Sequence, residues 1–257
     1  METKQLLQQE LRNIEQWERS QKDLWFWEKL ARLPFKMLDK LTPAIVHKKL
    51  GQLLDELGGY IQTGGQYLVS EEKMLAKFSV STISEIADMP IETMDRVCEE
   101  LIESRVSFAQ YQGATTGVGG VFTLAIDIPA LLGLALKTLQ EIAIIYGYNP
   151  KEKKERIFIV KCLQFASSDI VGKKAILQQL TSFSNDHQQV FSQLQGWREV
   201  IMTFRDQYGW KKLFQFVPIV GIIFGAMSNR MFIKDIAEAG KMLYRKRRIL
   251  EKLEKIK

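Results

Sequence analysis

Two long uncharged stretches are the strongest constraint on how this chain can fold. Thirty-one residues separate Arg105 from Lys137, and Asp127 is the only charged residue among them. Seventeen residues separate Lys212 from Arg230, and none of them is charged. Stretches of this kind are stable only when they are buried, either in the core of a protein or in a membrane.

Glycines at a spacing of four suggest how these stretches pack. Gly113 and Gly117 have this spacing in the first stretch, and Gly221 and Gly225 have it in the second. Small residues four apart let two helices approach closely, in membranes and in soluble proteins alike. We therefore expect the two stretches to pack against each other. The predicted helix-packing residues are Gly113, Gly117, Gly120, Pro129, Gly221, Gly225 and Asn229.

A membrane-spanning helix at residues 118–136 is not favoured by its residue energies. The ten Leu, Ile, Val and Phe residues favour insertion by about 3–6 kcal/mol, and a central Asp opposes it by about 2.5–3.5 kcal/mol before any penalty for Pro and Gly. Asp127 and Pro129 instead predict the start of a new helix that runs to about Tyr146. The sequence leaves open whether residues 118–136 and 213–229 form a buried core or insert partly into a membrane.

Helical patterns dominate the rest of the chain and predict an all-α fold. Ser70 is typical of a helix N-cap, and Pro90 predicts a helix whose buried face carries Met94, Val97, Leu101 and Ile102. Alternation at a period of two residues is not sustained anywhere. We predict one multi-helix domain over residues 1–257, with a central glycine-rich apolar hairpin, a flexible segment at 181–196 and a basic C-terminal helix.

Residues that signal known chemistry are scarce. The chain has only two histidines, His47 and His187, and no metal-binding, P-loop or nucleophile-elbow pattern. We therefore expect no metal and no cofactor, and the sequence favours a protein that is not an enzyme. The one candidate polar site consists of Asp127, Lys137 and Glu141, where a buried carboxylate beside a cation could bind a ligand, or could simply form a cap and an ion pair.

The basic surplus of the chain lies in its C-terminal tail. Residues 241–257 contain eight basic and two acidic side chains, which equals the net charge of +6 for the whole chain. At helical spacing the cations line one side of a helix, which is typical of contact with anionic lipid and also of a solvated helix end. The neutral remainder argues against a nucleic-acid partner. The residues predicted to face a membrane surface are Lys241, Arg245, Arg247, Arg248 and Lys252.

Two segments resemble the EcsC family. Residues 113–150 contain glycines, then Asp-x-Pro, then a long apolar helix that ends in Tyr-Gly-Tyr, and residues 217–248 contain a Pro-x-x-Gly-x-x-x-Gly-Ala-x-x-Asn core. The resemblance implies no particular reaction. It implies a genetic neighbourhood, because the family takes its name from a bacterial operon that also encodes an ABC transporter. The recurrent positions that it implies are Gly117, Gly120, Asp127, Pro129, Tyr146 and Gly147.

Three hypotheses about function follow. The first is a cytoplasmic helical accessory protein, peripheral to or partly inserted in the inner face of the cell membrane, beside a transport or secretion complex such as an ABC transporter. The second is a small-ligand-binding protein or an enzyme with its site around Asp127, Lys137 and Glu141. The third is a soluble helical scaffold. No oligomeric state is predicted.

Overall fold

The computed structural model describes residues 2–21, 69–117, 121–168, 170–182 and 218–256, and within these ranges it is helical without strands. The predicted all-α fold is confirmed. The single-domain boundaries remain a prediction, and most of the predicted flexible segment, from residue 183 onward, lies outside the described residues. The helices are α1 (Lys4–Ser20), α2 (Glu71–Ala76), α3 (Ile83–Ala87), α4 (Ile91–Gly117), α5 (Val121–Ile145), α6 (Lys153–Ser167), α7 (Ile170–Ser182) and α8 (Pro218–Lys255).

Local signals in the sequence set several helix starts. The hydroxyl of Ser70 accepts a hydrogen bond from the backbone N–H of Lys73 at the start of α2, as predicted. Helix α4 begins directly after Pro90, also as predicted. The first N–H groups of a helix have no partner within the helix itself. In α4 the N–H of Ile91 donates to the carboxylate of Glu2 at 2.7 Å, so a residue 89 positions away caps the helix.

Helices α4, α5 and α8 form the centre of the fold. Arg105 of α4 pairs with Glu141 of α5, and Asp95 of α4 accepts from Tyr146 just after α5, so these two helices run antiparallel. Lys241 and Arg245 of α8 pair with Glu99 and Asp95, so α8 is antiparallel to α4 as well. The predicted buried face of α4 is confirmed at Met94, Val97 and Leu101, which lie in the core, whereas Ile102 is half-buried and packs against the core.

The first uncharged stretch forms the end of α4 and most of α5. The helix predicted to begin at Asp127 begins instead at Val121, and this part of the prediction was wrong. Pro129 removes one backbone hydrogen bond inside α5, but a long helix whose C-terminal half is buried tolerates that loss. From Leu131 to Leu136 the large apolar side chains are buried in the protein core. None of the helices in the described ranges has the length and apolar character that crossing a membrane requires.

The second uncharged stretch and the basic tail share a single helix. Helix α8 is 38 residues long, and the predicted basic C-terminal helix is its last part. Helix α8 approaches α5 closely at Gly240, where an added Cβ would be 2.5 Å from Cδ2 of Leu139. Gly113 is buried on α4. Gly120 lies outside the described residues, as do the surroundings of Gly117, Pro129, Gly221 and Gly225 within their helices.

Candidate functional site

Of the three residues of the predicted polar site, the structure describes the side chains of Lys137 and Glu141. Glu141 is buried and receives both Nε and Nη2 of Arg105 on its two oxygens, at 2.7 and 2.5 Å. This two-point ion pair joins α4 to α5, and Lys137 takes no part in it. The side chain of Asp127 lies outside the described residues. Glu141 therefore has a structural partner that the sequence did not predict, and the described residues contain no group of ligands that could hold a metal ion.

The turn that ends α5 requires a glycine at one position. Gly147 has a φ of 79°, and its N–H and that of Tyr148 donate to the carbonyl oxygens of Ile144 and Ala143 at 2.8 and 2.9 Å. These bonds satisfy carbonyl groups that a helix end leaves without partners. A Cβ at Gly147 would lie 2.7 Å from the Cα of Ala87, so both the angle and the close approach require glycine.

Arg248 binds the same turn from helix α8. Its Nε donates to the carbonyl oxygen of Tyr146 at 2.7 Å, and its Nη2 donates to that of Gly147 at 3.1 Å. Its Nη1 reaches Glu251 on its own helix, and the guanidinium lies 4.3 Å from the ring centre of Tyr148. A cation at the C-terminal carbonyls of α5 also complements the helix dipole. The arginine therefore closes a helix end inside the protein.

A chain of hydrogen bonds extends from Tyr146 across three helices. The hydroxyl of Tyr146 donates to Oδ1 of Asp95 at 2.6 Å, and Arg245 donates to Oδ2 of Asp95 and to Glu10 on α1. Burial raises the pKa of Tyr146 well above its ordinary value, which keeps its hydroxyl protonated as a donor. The network thus ties α1, α4 and α8 to the end of α5.

Arg247 faces helix α6 on the neighbouring side of α8. Its guanidinium pairs with the buried carboxylate of Glu155 and lies 4.1 and 5.2 Å from the ring centres of Tyr148 and Phe158. Burial raises the pKa of Glu155 despite the arginine beside it. A planar guanidinium can stack on two rings while it pairs with a carboxylate, and the ammonium group of a lysine could not make both contacts in this way.

Three further cations of the tail pair with carboxylates from other parts of the chain. Lys241 pairs with Glu99, Lys246 with Glu18, and Lys252 with both Glu2 and the carbonyl oxygen of Met89. All five residues predicted to face a membrane surface therefore have partners within the chain, and contact between these residues and lipid remains a prediction.

A pattern of spacing in the sequence could have predicted these pairs. Acidic residues in α1 and α4, and just before each of them, recur at helical spacing and face cations of the tail in the opposite chain direction. The two matched series are Glu2, Glu10, Glu18, Asp88, Asp95 and Glu99 on one side and Lys241, Arg245, Lys246, Lys252 and Lys255 on the other.

The opposite end of the bundle has a different character. Phe108 and Tyr111 on α4 are 53% and 71% exposed, and Met227 on α8 is 48% exposed. Arg230 of α8 donates to the neutral side-chain amide of Gln110 of α4 at 2.8 Å. The sequence indicated that these parts of α4 and α8 are uncharged, but not that Phe108, Tyr111 and Met227 are exposed.

Comparison with known proteins accords with the two sequence segments described above. The family model of the EcsC protein family matches residues 8–249. The protein is similar to "Uncharacterized protein YdbA" of Bacillus subtilis (strain 168), with 56% identity over 98% of this chain and 96% of that protein. It is also similar to "Protein EcsC" of the same organism, with 27% identity over 73% of this chain and 72% of that protein. No solved structure matches the chain. Since the family model covers nearly the whole sequence, the chain belongs to the EcsC protein family.

Proposed function

We propose that this protein is a membrane-associated, non-enzymatic accessory protein that acts beside a transport or secretion complex. The observation that carries the proposal is the unequal distribution of charge along the helical bundle. At one end, the cations of α8 face carboxylates of α1, α4 and α6. At the other end, the uncharged parts of α4 and α8 expose Phe108, Tyr111 and Met227.

This difference favours the uncharged end as the membrane contact. A carboxylate that pairs with an arginine or lysine has already reduced the attraction of that cation for anionic lipid. The tail cations are paired in this way, and several of them are largely removed from solvent. Exposed aromatic residues within an uncharged segment have no such competing partner, and their burial in a membrane interface is favourable.

A non-enzymatic role is supported by the position of Glu141. The candidate ligand site depended on this carboxylate, and it is buried in a two-point ion pair with Arg105. A carboxylate held in this way stabilises helix packing, and both of its oxygens already accept hydrogen bonds from the arginine. The transport partner is proposed from the family resemblance alone, because the founding operon also encodes an ABC transporter.

Cell fractionation tests this proposal. The tagged full-length chain would be followed in membrane and soluble fractions after washing with low salt, high salt, carbonate and detergent. We expect it to pellet with membranes in low salt and to be released by detergent, and crosslinking before release should capture subunits of a membrane complex. Full solubility under all four conditions would contradict the proposal.

A further inference from the structure

We propose that the uncharged end of the bundle binds the lipid bilayer itself, through a shallow apolar cap that is bounded by cations. This inference rests on the proposed function and names its partner and its surface. The apolar cap is defined as the end of α4 and the starts of α5 and α8, and the side chains that the structure describes there are those of residues 106–116, 130 and 226–229. It is the end opposite to the ion pairs of the basic tail.

Helix register places the three parts of the cap at the same end of the molecule. Pairs between α4 and α8 join Glu99 to Lys241 and Gln110 to Arg230, so residue numbers rise on one helix as they fall on the other. The pairs of Arg105 with Glu141 and of Asp95 with Tyr146 give α5 the same opposite direction relative to α4. The last residues of α4 are therefore level with the first residues of α5 and α8.

The exposed side chains of the cap are of the type that membrane interfaces accept. Phe108, Tyr111 and Met227 are large, and two of them are aromatic. Aromatic side chains are enriched at the level of lipid headgroups, where their rings are partly in contact with the acyl chains. The other large exposed apolar residues in the described part of the chain are aliphatic and belong to α1 and the tail, namely Leu6, Leu250 and Ile256.

On all three helices the uncharged stretch of the cap ends at a cation in the sequence, and Arg230 lies beside the cap itself because it donates to Gln110. The cation that comes directly before the uncharged part of α4 is Arg105, and the one directly after the uncharged part of α8 is Arg230. On α5 the next charged residue after Asp127 is Lys137. Arg105 is compensated by Glu141, whereas Arg230 contacts the neutral amide of Gln110. Cations at this level complement the negative potential of anionic headgroups, while a second copy of the same cap would bring like charges together. Charge complementarity therefore favours a bilayer as the occupant.

The depth of insertion is limited by the same residues. The described helices include none that could cross a membrane, and the C-terminal half of α5 is buried in the protein core. The cap accordingly reaches the interface, on the order of 5–10 Å into the boundary of headgroups and acyl chains.

Sedimentation of the purified full-length protein with vesicles tests this inference. The vesicles would contain phosphatidylcholine with or without phosphatidylglycerol. The double variant Phe108→Ser/Tyr111→Ser should bind anionic vesicles about tenfold more weakly than wild type or worse. Leu250→Ser, an exposed apolar position in the tail, is the matched control and should bind like wild type. The double variant Lys137→Gln/Arg230→Gln should lose most of the preference for anionic over neutral vesicles. Circular dichroism and thermal unfolding would confirm that each variant is folded.

The outcomes separate this inference from the proposed function. If the protein is membrane-bound in cells but fails to bind vesicles of either composition, it contacts a membrane protein, and the lipid-binding cap is overturned while the proposed function stands. If Leu250→Ser weakens vesicle binding and the serine variants of the cap do not, the tail is the lipid surface and the cap is again overturned. If the protein binds vesicles through the cap but is soluble in cells, the lipid surface stands and the proposed function fails.

Discussion

Arg248 donates two hydrogen bonds to the turn that follows helix α5, and the bond to the carbonyl oxygen of Tyr146 is 2.7 Å long. The arginine lies in the part of the chain with the highest density of positive charge, yet it is only 5% exposed. Its position explains why a basic tail can be part of the core of a helical protein. Most of the tail cations that the structure describes pair with acidic side chains from other parts of the chain.

Removal of Arg248 should destabilise the protein strongly. In Arg248→Ala, the carbonyl oxygens of Tyr146 and Gly147 lose charged donors in a buried position, and the free energy of unfolding should fall by about 2–4 kcal/mol. Urea unfolding followed by circular dichroism measures this. Lys255→Ala is the matched control, because Lys255 and Asp88 form an exposed pair whose loss should change stability by less than about 1 kcal/mol. Equal effects of the two variants would refute a structural role specific to Arg248.

Two glycines of the same segment should respond to alanine in opposite directions. Gly147→Ala forces a positive φ on a residue with a side chain and drives its Cβ against the backbone of Ala87, so it should cost at least about 2 kcal/mol. Gly133 lies within α5 with nothing within 4 Å of an added Cβ. Gly133→Ala should therefore stabilise the protein by about 0.5–1 kcal/mol through helix propensity. Thermal unfolding of both variants checks the difference, and a stable Gly147→Ala protein would show that the turn is described wrongly.

Termination of the chain after Gly240 should prevent normal folding. The removed residues include Leu243, Tyr244 and Ile249, which are buried in the core, and the partners of Asp95 and Glu155. A truncated protein should lose cooperative thermal unfolding and become sensitive to proteases. A chain that ends at Lys255 keeps these contacts and serves as the control. Cooperative unfolding of the shorter protein at the wild-type temperature would mean that the tail is dispensable.

The two cysteines should be unreactive while the protein is folded. Both side chains are buried; burial raises the pKa of Cys98 to about 12 and that of Cys162 well above its ordinary value. A thiol reagent at pH 8 should label neither residue until urea unfolds the protein. Rapid labelling of Cys98 in the native protein would contradict its placement in the core.

The raised pKa of Cys98 also gives a pH dependence with a defined sign. A thiol whose folded pKa lies above its unfolded value contributes stability below the unfolded pKa of about 8.5, and this contribution is lost as pH rises towards about 12. The difference in unfolding free energy between wild type and Cys98→Ala should therefore shrink as the pH rises from 8 to 11. A constant difference across this range would show that the thiol does not titrate differently in the two states.

Much of the fold was predictable because its signals are local. Pro90 and the apolar spacing of Met94, Val97 and Leu101 predicted the start and the buried face of α4, and the structure confirms both. The tail was harder to interpret, because helical spacing shows which side chains share a face but not what that face contacts. Only the three-dimensional arrangement brings Asp95 to Arg245, 150 residues away. Glu141 presented the same difficulty, since its partner Arg105 comes from another helix.

Environment-sensitive fluorescence at one position of each end tests the central claim most directly. Tyr111→Cys in the cap and Leu250→Cys in the tail would each carry a solvatochromic label, with the buried Cys98 and Cys162 left unmodified. On addition of anionic vesicles, we expect a blue shift and quenching by a lipid-attached quencher for the label at position 111 and no change at position 250. A shift at position 250 without one at position 111 would contradict the account and return the membrane contact to the basic tail.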